Sequence, residues 1–166
     1  IMPVPYRSLA LANEFICFSP ENGVSHMKLQ KLVYMAYGWW LTEHAIPVTM
    51  DAPEVWRHGP VFSEMYSRLS GFGQAPIKHP VRYFFDDPPP RVDDNDDETS
   101  ALLQFVWGRY GRMTAFELSD LTHRPGTPWQ VTAEKFNYRV PMNHKIETEL
   151  IKSEFRDIRN REATLF

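Results

Sequence analysis

The chain has 166 residues, 43% apolar and 14% aromatic, enough to bury a sizeable core within one domain. Its net charge of −3 is uneven: residues 86–98 hold Asp86, Asp87, Asp93, Asp94, Asp96, Asp97 and Glu98 against Arg91, so the remainder carries +3. That excess is too weak to point to nucleic acid, and a single cysteine, Cys17, excludes a disulfide framework and any cysteine-rich zinc site. With no charged-then-apolar leader and no membrane span, the sequence predicts a cytoplasmic protein.

Ser8–Phe18 sets Leu9, Ala12, Phe15 and Ile16 on one stripe, which predicts an amphipathic helix ended by the turn Ser19-Pro20-Glu21-Asn22-Gly23. The stretch opened by Ser25, an N-cap residue, is the one the rest is organised around. Leu29, Leu32, Val33, Ala36 and Trp40 recur at helical spacing, and Met27, Tyr34, Met35, Tyr37, Trp39 and Leu41 add apolar surface on the other faces. A helix apolar nearly all round belongs inside, so a central helix is predicted over 27–44. Pro47, Pro53 and Pro60 forbid a long helix between Ala45 and Pro60, and short strands are predicted near 46–57, at Ile46–Val48 and Glu54–Arg57. Val61, Met65 and Leu69 predict a helix over Val61–Leu69; Val81–Phe85 reads as a further strand.

Asp87–Glu98 (DPPPRVDDNDDE) joins three prolines to six acids, and predicts a flexible acidic loop, 87–98, within the domain. Asp93, Asn95 and Asp97 faintly resemble the start of a calcium loop. Its glycine position holds Glu98 and its distal glutamate position Gln104, so a solvated connector is the reading adopted. Helices come next at Ser100–Tyr110, from the capping box Thr114/Glu117 to near Thr122, and from Thr127 with Pro128 at the first helical position. The last is placed at Asn143–Ile158, with a charged tail over 157–166. The fold class is therefore mainly α: a single-domain bundle of about six to seven helices.

The residues offer no case for catalysis. His26, His44, His58, His79, His123 and His144 form no His-x-x-x-His pair, and neither a nucleophile elbow nor a phosphate loop is present. No metal site and no cofactor are implied, and no spacing supports a hydrolase built from His58, His123 and Asp120. What stands out are two loops dense in aromatic, basic and turn residues, Trp56–Val61 and Leu121–Trp129. Core architecture explains them as well as a rigid patch for a protein partner does, since Trp and Arg dominate interface energetics.

KLQKLVYMAYGWWL (Lys28–Leu41), EVWRHGPVFSEMY (Glu54–Tyr66) and LSDLTHRPGTPW (Leu118–Trp129) together resemble the Panacea antitoxin domain family, the SocA-like, phage-associated domains. The likeness spans roughly residues 5–156, with the three blocks in the family's order and spacing; family members often carry Tyr where this chain has His58. The resemblance implies a non-catalytic antitoxin that neutralises a protein toxin, encoded by a neighbouring gene, by direct binding. In SocA-like members it also implies an adaptor role in the toxin's proteolysis by a ClpXP-type protease. A homodimer stays open. The alternative is a phage-associated accessory protein with an enzymatic or nucleic-acid-processing role on the same scaffold.

For the binding face, Lys28 and Lys31 lie three apart, beside Gln30, at the positive end of the helix dipole. Charges placed against local preference imply a partner or a function. Lys28, Gln30 and Lys31, with Trp56, Arg57 and His58 on the following turn, are the predicted partner-binding residues. The competing reading is a solvated or internally paired helix end.

Overall fold

The structure is a computed structural model that describes residues 3–163. Among these residues there are seven α-helices and one two-stranded antiparallel hairpin: α1 Ser8–Cys17, α2 His26–Leu41, β1 Glu54–Trp56, β2 Gly59–Val61, α3 Ser63–Leu69, α4 Asp97–Tyr110, α5 Ala115–His123, α6 Pro128–Lys135 and α7 Thr148–Ala163. The mainly α, single-domain reading holds. Helix α2 is the axis. All of it but Met27 and Lys28 is buried, because α1, α3, α4, α5, α7 and β2 pack around it.

Each start has a local cause. The Ser25 hydroxyl accepts from the Lys28 N–H at 3.3 Å and opens α2. Thr114 and Glu117 close a reciprocal capping box on α5. Thr127 caps α6 through the Gln130 N–H, with Pro128 in its first turn. Leu9, Leu11, Ala12, Phe15 and Ile16 of α1 are wholly buried against α2. On the opposite side α7 comes close at Gly38, where a Cβ would lie 2.1 Å from the Phe155 ring. Only glycine admits that approach.

Several elements differ from the sequence reading, among them α2, which ends at Leu41 rather than residue 44. Val61 ends β2, so α3 begins two residues later than the apolar spacing predicts. Ile46–Val48 is not a strand; instead Tyr6 bridges to Thr49, with bonds to the Val48 carbonyl at 2.8 Å and from the Met50 N–H at 2.7 Å. Nor is Val81–Phe85, whose backbone is claimed by side chains: Asn13 binds the Val81 N–H and carbonyl, and Arg68 the Tyr83 carbonyl. Helix α7 starts at Thr148 because residues 144–146 run along the hairpin, the Ile146 N–H meeting the Pro53 carbonyl at 2.9 Å and the Val55 N–H the His144 carbonyl at 2.9 Å. It continues to Ala163, so 157–163, read as tail, are helical; 164–166 lie outside the described residues.

The acidic segment is also more engaged than a solvated connector. Asp96 caps α4, whose first turn holds Asp97 and Glu98. Val92 is buried, Arg91 pairs with Glu14, and the Tyr6 hydroxyl donates to Asp96 at 2.7 Å. Acids suit a helix N-terminus, where they meet the positive end of the dipole. Counting charges alone missed this.

Candidate functional site

The hairpin pairs Glu54 with Val61, Val55 with Pro60 and Trp56 with Gly59, which leaves Arg57 and His58 as the two residues of its turn. Gly59 has φ +114°, and a Cβ there would come within 3.1 Å of both Lys31 Cε and Thr122 Oγ1. Backbone conformation and space both demand glycine at that position.

Three helices fasten this hairpin. From α2, Lys31 Nζ donates to the Pro60 carbonyl at 2.7 Å, and the Gln30 amide brackets Phe62, accepting from its N–H at 2.8 Å and donating to its carbonyl at 3.2 Å. From α5, the Ser119 hydroxyl donates to the His58 carbonyl at 2.6 Å. From α6, Trp129 Nε1 donates to the Trp56 carbonyl at 2.8 Å. The Trp56 ring lies on Tyr66 of α3, centroids 4.6 Å apart, and its Nε1 donates to buried Glu54 at 3.2 Å. The blocks 28–41, 54–66 and 118–129, distant in sequence, therefore meet at one corner.

The electrostatics are unusual for an α-helical core. Lys31 is fully buried and its acceptor is a neutral carbonyl, so burial pushes its pKa down to about 7. His26, one turn back, is pushed to about 4 by burial first and then by the Lys31 charge. A buried lysine amine held by a carbonyl, about half protonated near pH 7, is an expensive way to fix a turn, so its gain is geometric.

The predicted partner-binding residues separate into two groups. Arg57 and His58 are exposed at the tip and Trp56 is half-buried beside them. Gln30 and Lys31 do not form an exposed face with Lys28. Both are buried and spent on the hairpin, which corrects the surface reading in favour of internal pairing. Lys28 is half-buried; its ammonium donates to the Gly111 carbonyl and sits 5.6 Å from the Trp107 ring centroid. Sequence reasoning missed Ser119 and Trp129 as the other fasteners, and Thr122 as a wall against Gly59, although the third block contains all three.

The corner does not assemble a hydrolytic triad: Asp120 pairs with Arg124 at 2.9 Å, and His123 Nδ1 engages the Ser119 carbonyl. Among the described residues no three His, Cys, Asp or Glu side chains are grouped to hold a metal ion, and no helix is long and apolar enough to cross a membrane. A cleft of about 920 Å³ adjoins the corner between the α5–α6 turn and α7. In it burial pushes the Glu154 carboxyl up to about 7. Arg109, Arg124, Arg161, Asp157 and Glu162 also line it, so three arginines face three acids.

The corner's three blocks lie within a recognised family. Residues 29–130 match the model of the family described as "Antitoxin SocA-like, Panacea domain". Over 138 residues, 80% of this chain and 72% of the relative, the sequence is 29% identical to a protein named antitoxin SocA from Caulobacter vibrioides (strain NA1000 / CB15N). No solved structure matches significantly. Since the family match covers well over half of its length and takes in the whole fastened corner, this chain belongs to the SocA-like antitoxin, Panacea domain family.

Proposed function

We propose that this protein is the antitoxin of a toxin–antitoxin pair, that it neutralises a protein toxin encoded beside it by direct binding rather than catalysis, and that the hairpin tip is part of the contact. Family membership supports the antitoxin role. The observation that carries the binding reading is the tip: Arg57 and His58 reach solvent from a turn whose backbone is fastened by Lys31, Ser119 and Trp129. A fixed backbone loses little entropy on binding, and Arg with Trp are the side chains that carry interface energy. Gln30 and Lys31 act behind this surface, shaping it, whereas Lys28 is engaged elsewhere, at the Gly111 carbonyl. Handing the bound toxin to a ClpXP-type protease is a second step of the same reading.

The test is co-expression with the toxin, scored by growth rescue and co-purification. Arg57→Glu/His58→Ala, confirmed folded by circular dichroism, is expected to lose both. Wild-type rescue and recovery by that variant would remove the tip from the interface.

A further inference from the structure

Residues 65–85 contain Arg68, Lys78, His79 and Arg82 and no acid; acids resume at Asp86 and Asp87. Outside the acidic segment 86–98, the whole +3 excess of the chain sits in this stretch. It also gathers exposed aromatic side chains around one cleft. Phe72, Phe84 and Phe85 are 42%, 68% and 92% exposed, around a cleft of about 780 Å³ that Lys78, His79 and Arg82 also line. Contiguous exposed aromatic surface on a folded chain marks an interaction site more often than isolated apolar residues do.

The backbone under these rings is clamped. Ile77 is buried and exchanges hydrogen bonds with Val24 at 2.9 and 3.0 Å. Asn13 Oδ1 accepts from the Val81 N–H at 2.8 Å and its Nδ2 donates to the Val81 carbonyl at 3.0 Å. Tyr83 is held at both ends, its hydroxyl donating to Glu64 and its carbonyl accepting from Arg68. The Arg68 guanidinium also stands 5.7 Å from the Phe84 ring centroid. The rings therefore project from a preset frame, which lowers the ordering cost of binding. Helix α3 connects this frame to the hairpin, since Tyr66, 39% exposed, packs on Trp56.

We propose that the surface formed by Phe72, Phe84, Phe85, Lys78 and Arg82 docks an acidic, apolar segment of the toxin, an inference that rests on the antitoxin reading above. The rings take the apolar side chains. The cations, where the basic excess is concentrated, select the acids and orient the segment.

Isothermal titration of the full chain with the purified toxin tests this, using Phe84→Ser/Phe85→Ser, Lys78→Glu/Arg82→Glu and, as a matched charge control, Lys135→Glu/Lys152→Glu. The first two pairs are expected to weaken binding about tenfold or more, and the control to leave it unchanged. The charge-reversal effect should shrink as salt rises from about 50 to about 500 mM. Folded variants of both pairs that bind like the wild type overturn the docking surface while the antitoxin reading stands. A wild type that does not bind the toxin overturns that reading and this proposal together. Binding of a fluorescent oligothymidylate that is lost with Phe84→Ser/Phe85→Ser, at unchanged toxin affinity, assigns the face to nucleic acid and overturns the proposal. Loss of a concentration-dependent dimer in that variant, again at unchanged toxin affinity, assigns the face to a second copy and also overturns it.

Discussion

Both halves of α2 are largely buried, but the C-terminal half buries mainly aromatic side chains, whereas the N-terminal half buries His26, Gln30 and Lys31 among its aliphatic residues. Towards its C-terminus Tyr34, Tyr37, Trp39 and Trp40 pack against other rings, with Tyr34 and Trp39 both edge-on to Phe155, Tyr37 edge-on to Phe62 and Trp40 stacked on His44. Towards its N-terminus the buried positions include His26, Gln30 and Lys31: Lys31 reaches Pro60 of the hairpin, Gln30 reaches Phe62 just after it, and the His26 ring meets the Gln30 amide. Apolar burial yields free energy roughly in proportion to area, whereas a buried hydrogen bond nets only about 0.5–1.5 kcal/mol and a buried charge can cost more than its partner returns. The C-terminal half thus acts as core throughout, and the N-terminal half, which adds Leu29, Leu32 and Val33 to that core, gives up part of its stability to fix one turn. Substitutions in the two halves should fail in different ways.

The largest effect is expected in the apolar half. Trp40 is 3% exposed, stacks on His44 at 3.7 Å between centroids, and donates to the Ile46 carbonyl at 2.8 Å. Trp40→Ala removes that packing and leaves a cavity, so a loss of about 3–5 kcal/mol is expected in urea denaturation. A cost below about 1 kcal/mol would mean that the site collapses freely, as a surface position does.

Next in size comes Gly38→Ala, which tests the same half by overfilling it. The added Cβ would lie 2.1 Å from Phe155, itself 1% exposed, so either the ring or α7 must shift. Overpacking of this kind costs about 1–3 kcal/mol, against a gain of about 1 kcal/mol that alanine brings to an open helix. A net stabilisation would show that α7 is not seated on α2.

Much of this contrast is legible in the residues, but not all of it. The apolar character of α2 on every face is enough to put it at the centre, and Thr114/Glu117 and Thr127/Pro128 mark two helix starts because capping is local chemistry. Val81–Phe85 and the start of α7 are misread because their causes are long-range. Asn13 and residues 53–55 take the backbone groups, and no window around residue 81 or 145 contains them. Lys31 shows the same limit at the site. Its spacing from Lys28 places both on one face correctly, yet periodicity scores lysine as polar and sends that face to solvent. The usable signal was electrostatic, cations at the wrong end of a dipole, and it pointed to a partner. That partner is the Pro60 carbonyl of the chain itself.

The smallest effect per measurement, and the most specific to the polar half, is a slope. Lys31 has a pKa near 10.5 when unfolded and about 7 when buried. Between those values the unfolded chain carries the extra proton, so stability rises with pH across that window, by at most about 1.4 kcal/mol per pH unit for one proton. Other groups act elsewhere or in parallel. His26, held near 4, raises stability with pH below its ordinary 6.5, while Glu154, held near 7, lowers it above 4.5. The buried tyrosines Tyr34, Tyr37 and Tyr110, shifted upward, lower stability only as pH passes their ordinary value of 10.0. Lys28, also shifted down by burial, adds a rise in the same direction as Lys31. The difference between wild type and Lys31→Met cancels these shared contributions to first order. Urea midpoints taken between about pH 7.5 and 9.5 should therefore climb more steeply for the wild type than for the variant, at equal m-values. Parallel lines would mean that Lys31 keeps an ordinary pKa, that water reaches its ammonium, and that the hairpin is not fastened through a buried lysine amine.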